Sequence, residues 1–161
     1  MRSLGLDIGG KRTGVAISDA QGILAMPLTV LASDKEEALV DEVLKLAEEH
    51  KVQCIVVGLP RCLSGELGRQ ANKVTSFVDK LLRQASEGNL SQLEVRFWDE
   101  RFSTKAAEQL KAEASGKRNK RHSRANMRSA SGRSRVKAKT DAIAAAIILQ
   151  GFLDSRRVGK D

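Results

Sequence analysis

Ser3-Leu4-Gly5-Leu6-Asp7-Ile8-Gly9-Gly10-Lys11-Arg12-Thr13-Gly14-Val15-Ala16-Ile17-Ser18 is the stretch on which the fold turns. Ser3 to Asp7 is a short apolar run, Gly9-Gly10-Lys11 turns the chain, and Thr13 to Ser18 alternates Val15 and Ile17 with Gly14, Ala16 and Ser18. Period-two alternation belongs to a strand, whose successive side chains leave opposite faces of the sheet. The pattern predicts the start of a β-meander with one face lined by small side chains. After Asp19-Ala20-Gln21-Gly22, Ile23 to Val30 reads as a third strand. Pro27 interrupts it, and because proline is tolerated mainly at a sheet edge, this strand is expected there.

Downstream the pattern changes period. Ser33 and Glu36 have capping-box spacing, and Leu39, Val40, Val43, Leu44 and Ala47 form one helical stripe that should end near His50. Cys54 to Leu59 is continuously apolar and β-branched, as in a parallel strand covered on both faces. A loop with Gly65 and Gly68 leads to a second helix with the stripe Ala71, Val74, Val78, Leu81 and Leu82, and Leu93 to Trp98 supplies a fifth strand. Ser103 or Thr104 can cap a third helix bearing Ala107 and Leu110. From Thr140 to Leu153 an alanine-rich helix is apolar nearly all round and so should be buried close to the sheet. The strand and helix order βββαβαβα gives an α/β domain with a mixed five-stranded sheet flanked by helices.

The length, 161 residues, suits one domain. No apolar run approaches a membrane span, and the N-terminus enters a strand directly, so a soluble cytoplasmic protein is expected. Cys54 and Cys62 fit neither a disulfide framework nor a metal-ligand spacing; Cys54 should be buried and Cys62 free. The net charge of +8 is unevenly spread: Ser115 to Lys139 holds ten Lys or Arg and no acid, leaving 18 basic against 20 acidic residues elsewhere. This segment, without apolar periodicity, reads as a flexible arm over about 115–138 that binds an anionic polymer.

Three acids stand at element ends: Asp7 at the tip of the first strand, Glu100 past the fifth, and Asp141 in the first turn of the last helix. Singly, each has an ordinary explanation as a turn residue, a surface ion-pair partner of Arg101 and a helix-dipole charge. Together, carboxylates gathered at the carboxyl ends of neighbouring strands would repel one another unless a cation neutralised them. A hard divalent ion prefers such oxygen donors, and two ions can support in-line hydrolysis of a phosphodiester.

Asp7-Ile-Gly-Gly-Lys-Arg-Thr-Gly-Val-Ala, Val57-Gly-Leu-Pro followed by Gly65 and Gly68, Trp98-Asp-Glu-Arg-Phe-Ser-Thr, and the run from Asp141 to Asp154 resemble, in order, the signatures of the YqgF family. The resemblance covers nearly the whole chain apart from the arm. It implies a ribonuclease-H-like fold and a nuclease of pre-16S ribosomal RNA 5′ ends or of Holliday junctions. It also implies that Asp7, Glu100 and Asp141 are catalytic and hold Mg2+ or Mn2+, two ions being expected. Gly10 departs from the family, which more often has a side chain such as Thr there. Asp99 is a substitute ligand for the site, though as the next residue to Glu100 in an extended segment it should point the other way.

Lys11, Arg12 and Arg101 are candidate phosphate contacts, and Lys117, Arg118, Lys120, Arg121 and Arg124 are the arm's candidate nucleic-acid contacts. Ser103 and Thr104 read as caps, Trp98 as core and His122 as part of the arm. With aromatics at 3%, recognition should use backbone and shape rather than base stacking. Two other readings compete. Asp-x-Gly-x-x-x-x-Gly-Val also resembles the phosphate-binding hairpin of actin-like phosphotransferases, but those clasp nucleotide between two such domains. A non-catalytic nucleic-acid-binding protein would use the arm alone. RNA and branched DNA present the same backbone to such a site, and a resolvase cutting two strands symmetrically would need a homodimer.

Overall fold

In the computed structural model, which describes residues 1–59, 65–99 and 130–158, the opening stretch folds into β1 (Ser3–Ile8) and β2 (Arg12–Ser18), and β3 (Ala25–Ala32) completes an antiparallel meander. Then come α1 (Glu36–Glu49), β4 (Cys54–Leu59), α2 (Gly65–Glu87), β5 (Glu94–Asp99) and α3 (Ala130–Val158). Among the described residues the sheet has five strands in the order β3-β2-β1-β4-β5, with β4 parallel to β1 and β5 parallel to β4. The mixed sheet and the edge position of the Pro27 strand are as the sequence predicts.

Strand alternation sorts the core into two layers. Leu4, Leu6, Ile8, Val15, Ile17, Ile55 and Val57 face α1 and α2, which bury Val40, Val43, Ala47, Val74, Phe77, Val78 and Leu81 against them. On the other face Ala16, Cys54 and Val56 meet Ala145, Ala146, Ile148, Leu149 and Leu153 of α3. Trp98 packs edge-on to Phe152 of α3, with ring centroids 6.1 Å apart, as a core residue should. Burial pushes the Cys54 thiol up, so it stays protonated and behaves as a small apolar group.

Four local expectations are corrected. The Ser33–Glu36 capping box does not form: Lys35 is the N-cap without a side-chain bond, and the Ser33 hydroxyl accepts from the Lys35 N–H instead (3.1 Å). Glu36 and Glu37 in the first turn complement the helix dipole in its place. The third strand starts at Ala25 rather than Ile23, because the Asp19 carboxylate accepts from the N–H groups of Ile23 (2.6 Å) and Leu24 (3.0 Å) and holds both in the turn. In α2, Leu82 is 42% exposed, and Phe77 and Ala85 take the buried positions.

The fourth correction matters most for function. The last helix begins at Ala130, so 130–138 is helical rather than part of a flexible arm, and Asp141 lies in mid-helix rather than in a first turn. Absence of an apolar stripe is not absence of helix propensity. Ala, Arg and Lys are good helix formers, and a helix already nucleated by its docked C-terminal half propagates through them at little cost. The rest of the arm, the helix expected after Ser103 or Thr104, and Cys62 lie outside the described residues.

Candidate active site

Gly14 organises the described part of the site. In the β1–β2 ladder it is the partner of Asp7, and cross-strand partners present their side chains to the same face. A Cβ placed on Gly14 would fall onto the backbone carbonyl of Asp141, so the helix backbone rests directly on this strand position. Asp7 therefore points to the face that α3 covers, beside the point where Asp141 crosses it. Gly5 extends the same track, since its Cβ would lie 2.7 Å from the Leu149 Cβ and 2.8 Å from the Ala145 carbonyl oxygen. Only glycine permits this approach of helix backbone to strand. Both Asp7 and Asp141 are half-buried.

Arg12, the first residue of β2, places its Nε 3.7 Å from an Asp141 carboxylate oxygen, with the two side chains 27% and 28% exposed. An ion pair this long and this wet contributes roughly 0–1 kcal/mol, so it orients Asp141 without sequestering it. Lys11 is exposed in the turn just before. Gly10 has nothing within 4 Å of the position a Cβ would take, which leaves the turn's outer side open.

Two of the three acids are thus brought together. Glu100, with Arg101 and the arm residues Lys117, Arg118, Lys120, Arg121 and Arg124, lies outside the described residues. The geometry still constrains Asp99. It pairs with Leu59 at the carboxyl end of β5, one residue beyond Trp98, which faces α3. Alternation turns Asp99 to the opposite face from Asp7 and Asp141, as expected. Among the described residues no group of three or more His, Cys, Asp or Glu gathers as a metal cluster. Asp7 and Asp141 supply hard carboxylate oxygens from two separate elements, a donor type that fits a divalent ion such as magnesium.

Two polar residues that sequence reading passed over reach this region from α2. Gln70 Nε2 donates to the Ile8 carbonyl (2.9 Å) and Lys73 Nζ donates to the Gly10 carbonyl (3.3 Å). Their signal was modest: two long polar donors three positions apart, beside the apolar stripe and near the start of a helix that follows a parallel strand.

Residues 1–155 match the family described as RuvX, Holliday junction resolvase. Over 161 residues the chain is 36% identical to the "Putative pre-16S rRNA nuclease" of Desulforudis audaxviator (strain MP104C), covering 100% of this chain and 99% of the relative. A relative of the same name from Desulforamulus reducens (strain ATCC BAA-1160 / DSM 100696 / MI-1) is 37% identical over 155 residues, 96% of this chain and 98% of its own length. In structure the chain is similar to T. thermophilus RuvC in complex with Holliday junction substrate, with a TM-score of 0.61 at 17% identity over 99% of this chain and 97% of that one. It is also similar to the Fowlpox virus resolvase complexed with Holliday junction DNA, with a TM-score of 0.51 at 12% identity over 97% and 99% of the two chains. At these identities the structural likeness speaks for the ribonuclease-H-like fold.

Proposed function

The chain belongs to the RuvX family of Holliday junction resolvases and is a nuclease acting on phosphodiester bonds; from that premise we propose that it processes the 5′ end of precursor 16S ribosomal RNA, using a divalent-metal site formed by Asp7, Glu100 and Asp141. The observation that carries the site is the close approach at Gly14, which sets Asp7 and Asp141 side by side on one face of the sheet. Glu100 is added from the sequence, as the family resemblance implies; it directly follows Asp99, the last residue of β5.

Asp7, Glu100 and Asp141 would hold magnesium or manganese, which would relieve their mutual repulsion, and two such ions would supply activation of a water and stabilisation of the leaving oxygen. Arg12, beside Asp141, is within reach of a phosphate entering there, with Lys11 in the adjoining turn, and Arg101 is a further candidate phosphate contact from the sequence. The basic residues Lys117, Arg118, Lys120, Arg121 and Arg124 supply affinity for the nucleic-acid backbone. No helix among the described residues is long and apolar enough to cross a membrane. A cytoplasmic location agrees with a ribosomal RNA substrate.

The ribosomal substrate is favoured because the relatives that bear that name match over essentially the full chain at 36% and 37% identity. The family description favours a second reading, symmetric cleavage of a four-way DNA junction, which would require a homodimer. Cleavage of a precursor 16S 5′ fragment and of a four-way junction should be compared side by side in magnesium and in manganese. Metal-dependent cleavage of the RNA and not the junction is the expected result. Symmetric cutting of the junction alone would overturn the ribosomal assignment, and absence of metal dependence on either substrate would overturn the site.

A further inference from the structure

Asp7 lies near the carboxyl end of β1, where the strand passes into the β1–β2 turn. Among the described residues the β1–β4 register runs from Ser3–Cys54 to Leu6–Val57. On the other side β1 and β2 stay paired to Ile8–Thr13, and the turn is closed by the Gly9 N–H donating to the Arg12 carbonyl (2.9 Å). Gly9 and Gly10 give that turn the widest conformational freedom a chain can have. The proposed metal-binding carboxylate therefore sits beside a glycine-containing turn.

α2 reaches this hairpin. Gln70 and Lys73 are three residues apart, and so neighbours on one side of the helix. One donates to the Ile8 carbonyl, immediately after Asp7, and the other to the Gly10 carbonyl at the tip of the turn. The helix that bears them is anchored to the sheet by Val74, Phe77 and Val78, all at most 3% exposed. Resting on the metal-site reading above, we propose that Gln70, assisted by Lys73, is a positioning residue: α2 latches the β1–β2 hairpin so that Asp7 and Arg12 are held ready before metal and substrate arrive. Neither side chain is assigned contact with the reacting atoms. Their effect passes through backbone carbonyls, as supporting hydrogen bonds around metal ligands do.

Gln70→Met keeps length and bulk but has no donor, whereas Gln70→Arg keeps a long donor. Gln70→Met should speed amide exchange at Gly9, weaken Mn2+ binding by about tenfold, and lower the saturated cleavage rate with little change in KM for nucleic acid. Gln70→Arg should recover all three. Unchanged Gly9 exchange in a folded Gln70→Met protein, or equal losses in Gln70→Arg, would overturn the latch. Should Gln70→Met fail to fold, Lys73→Met removes the exposed half of the latch and must shift the same readouts in the same direction. Asp7→Asn separates the two claims: if it binds Mn2+ as tightly as the wild type, the metal assignment fails, and Gly9 exchange alone then decides the latch.

Discussion

The two faces of the sheet are built on opposite plans. Toward α1 and α2 the strands present Leu, Ile and Val, and the helices stand off behind Phe77, Leu81 and Val40 in a thick apolar layer. Toward α3 they present Gly5, Gly14 and Ala16, and the helix comes down onto the strand backbone. The thick layer buries more apolar area and supplies most of the stability that burial can give. The thin layer gives up that area for proximity. Only where helix and sheet backbones touch could a short carboxylate on each share an ion, as proposed for Asp7 and Asp141. On that proposal, stability is concentrated on one face and chemistry on the other.

The sharpest way to break this division is at the carboxylates. Asp7→Asn, and separately Glu100→Gln, should reduce metal-dependent cleavage by more than about 100-fold, beyond what loss of an outer-shell partner costs, while the apo protein is as stable as wild type or slightly more so. Retained activity with the fold confirmed by circular dichroism would sink the assignment. Next in size is a matched pair of core changes. Leu6→Ala, on the thick face, should cost about 2–5 kcal/mol in urea denaturation yet leave the rate per folded molecule near normal. Gly14→Ala should cost about 1–3 kcal/mol by overpacking but cut that rate on the order of 100-fold, because it lifts Asp141 away from Asp7. Equal effects on rate would erase the distinction between the faces.

Upstream of Asp141 the expected effect is on binding. Replacing Lys117, Arg118, Lys120, Arg121 and Arg124 with Gln should flatten a log affinity against log salt slope that starts at roughly −4 to −5, with the single-turnover rate at saturation nearly unchanged. A large loss in that saturated rate would put these residues in the catalytic centre instead. The smallest effect belongs to the far end of α3, where Gln150 accepts from the Ala25 N–H (2.8 Å) and donates to the Ile23 carbonyl (3.0 Å), tying the helix to the Asp19 turn. N–H groups of Leu24 and Ile23 hold the Asp19 carboxyl below the usual range. A depressed carboxylate pKa stabilises above the unfolded value and loses that contribution as pH falls through the folded one. The melting temperature of wild type minus Asp19→Asn should therefore be positive near pH 6 and shrink toward zero in strong acid, with cleavage at neutral pH unaffected. A pH-independent difference would contradict it.

Much of this division was readable from residues alone. The alternation of Val15 and Ile17 with Gly14, Ala16 and Ser18 announced a strand with one small-residue face, and the apolar run from Cys54 marked a strand covered on both sides. Part of what escaped reading is local: the Asp19 carboxylate captures the amides of Ile23 and Leu24, and the Ser33 hydroxyl that of Lys35, turns that compete with the strand and helix patterns. The start of α3 was hidden because a polar, basic run has no stripe to betray a helix that continues from a docked neighbour. Gln70 was hidden because its partner is a main-chain carbonyl 62 residues away.

That continuity has a consequence for how substrate spacing is set. From Ala130 onward one helix carries Arg133, Arg135, Lys137 and Lys139 into Asp141. Each residue inserted between Lys139 and Asp141 would swing everything upstream around the axis by about 100° and move it outward by about 1.5 Å. One or two added residues should change both the direction and the offset of the upstream chain relative to Asp141. Three or four should restore the direction, about one 5.4 Å turn further along the axis. On the proposed assignment of Asp141 as a metal ligand, the spacing between upstream contacts and the cut would then be set in whole helical turns.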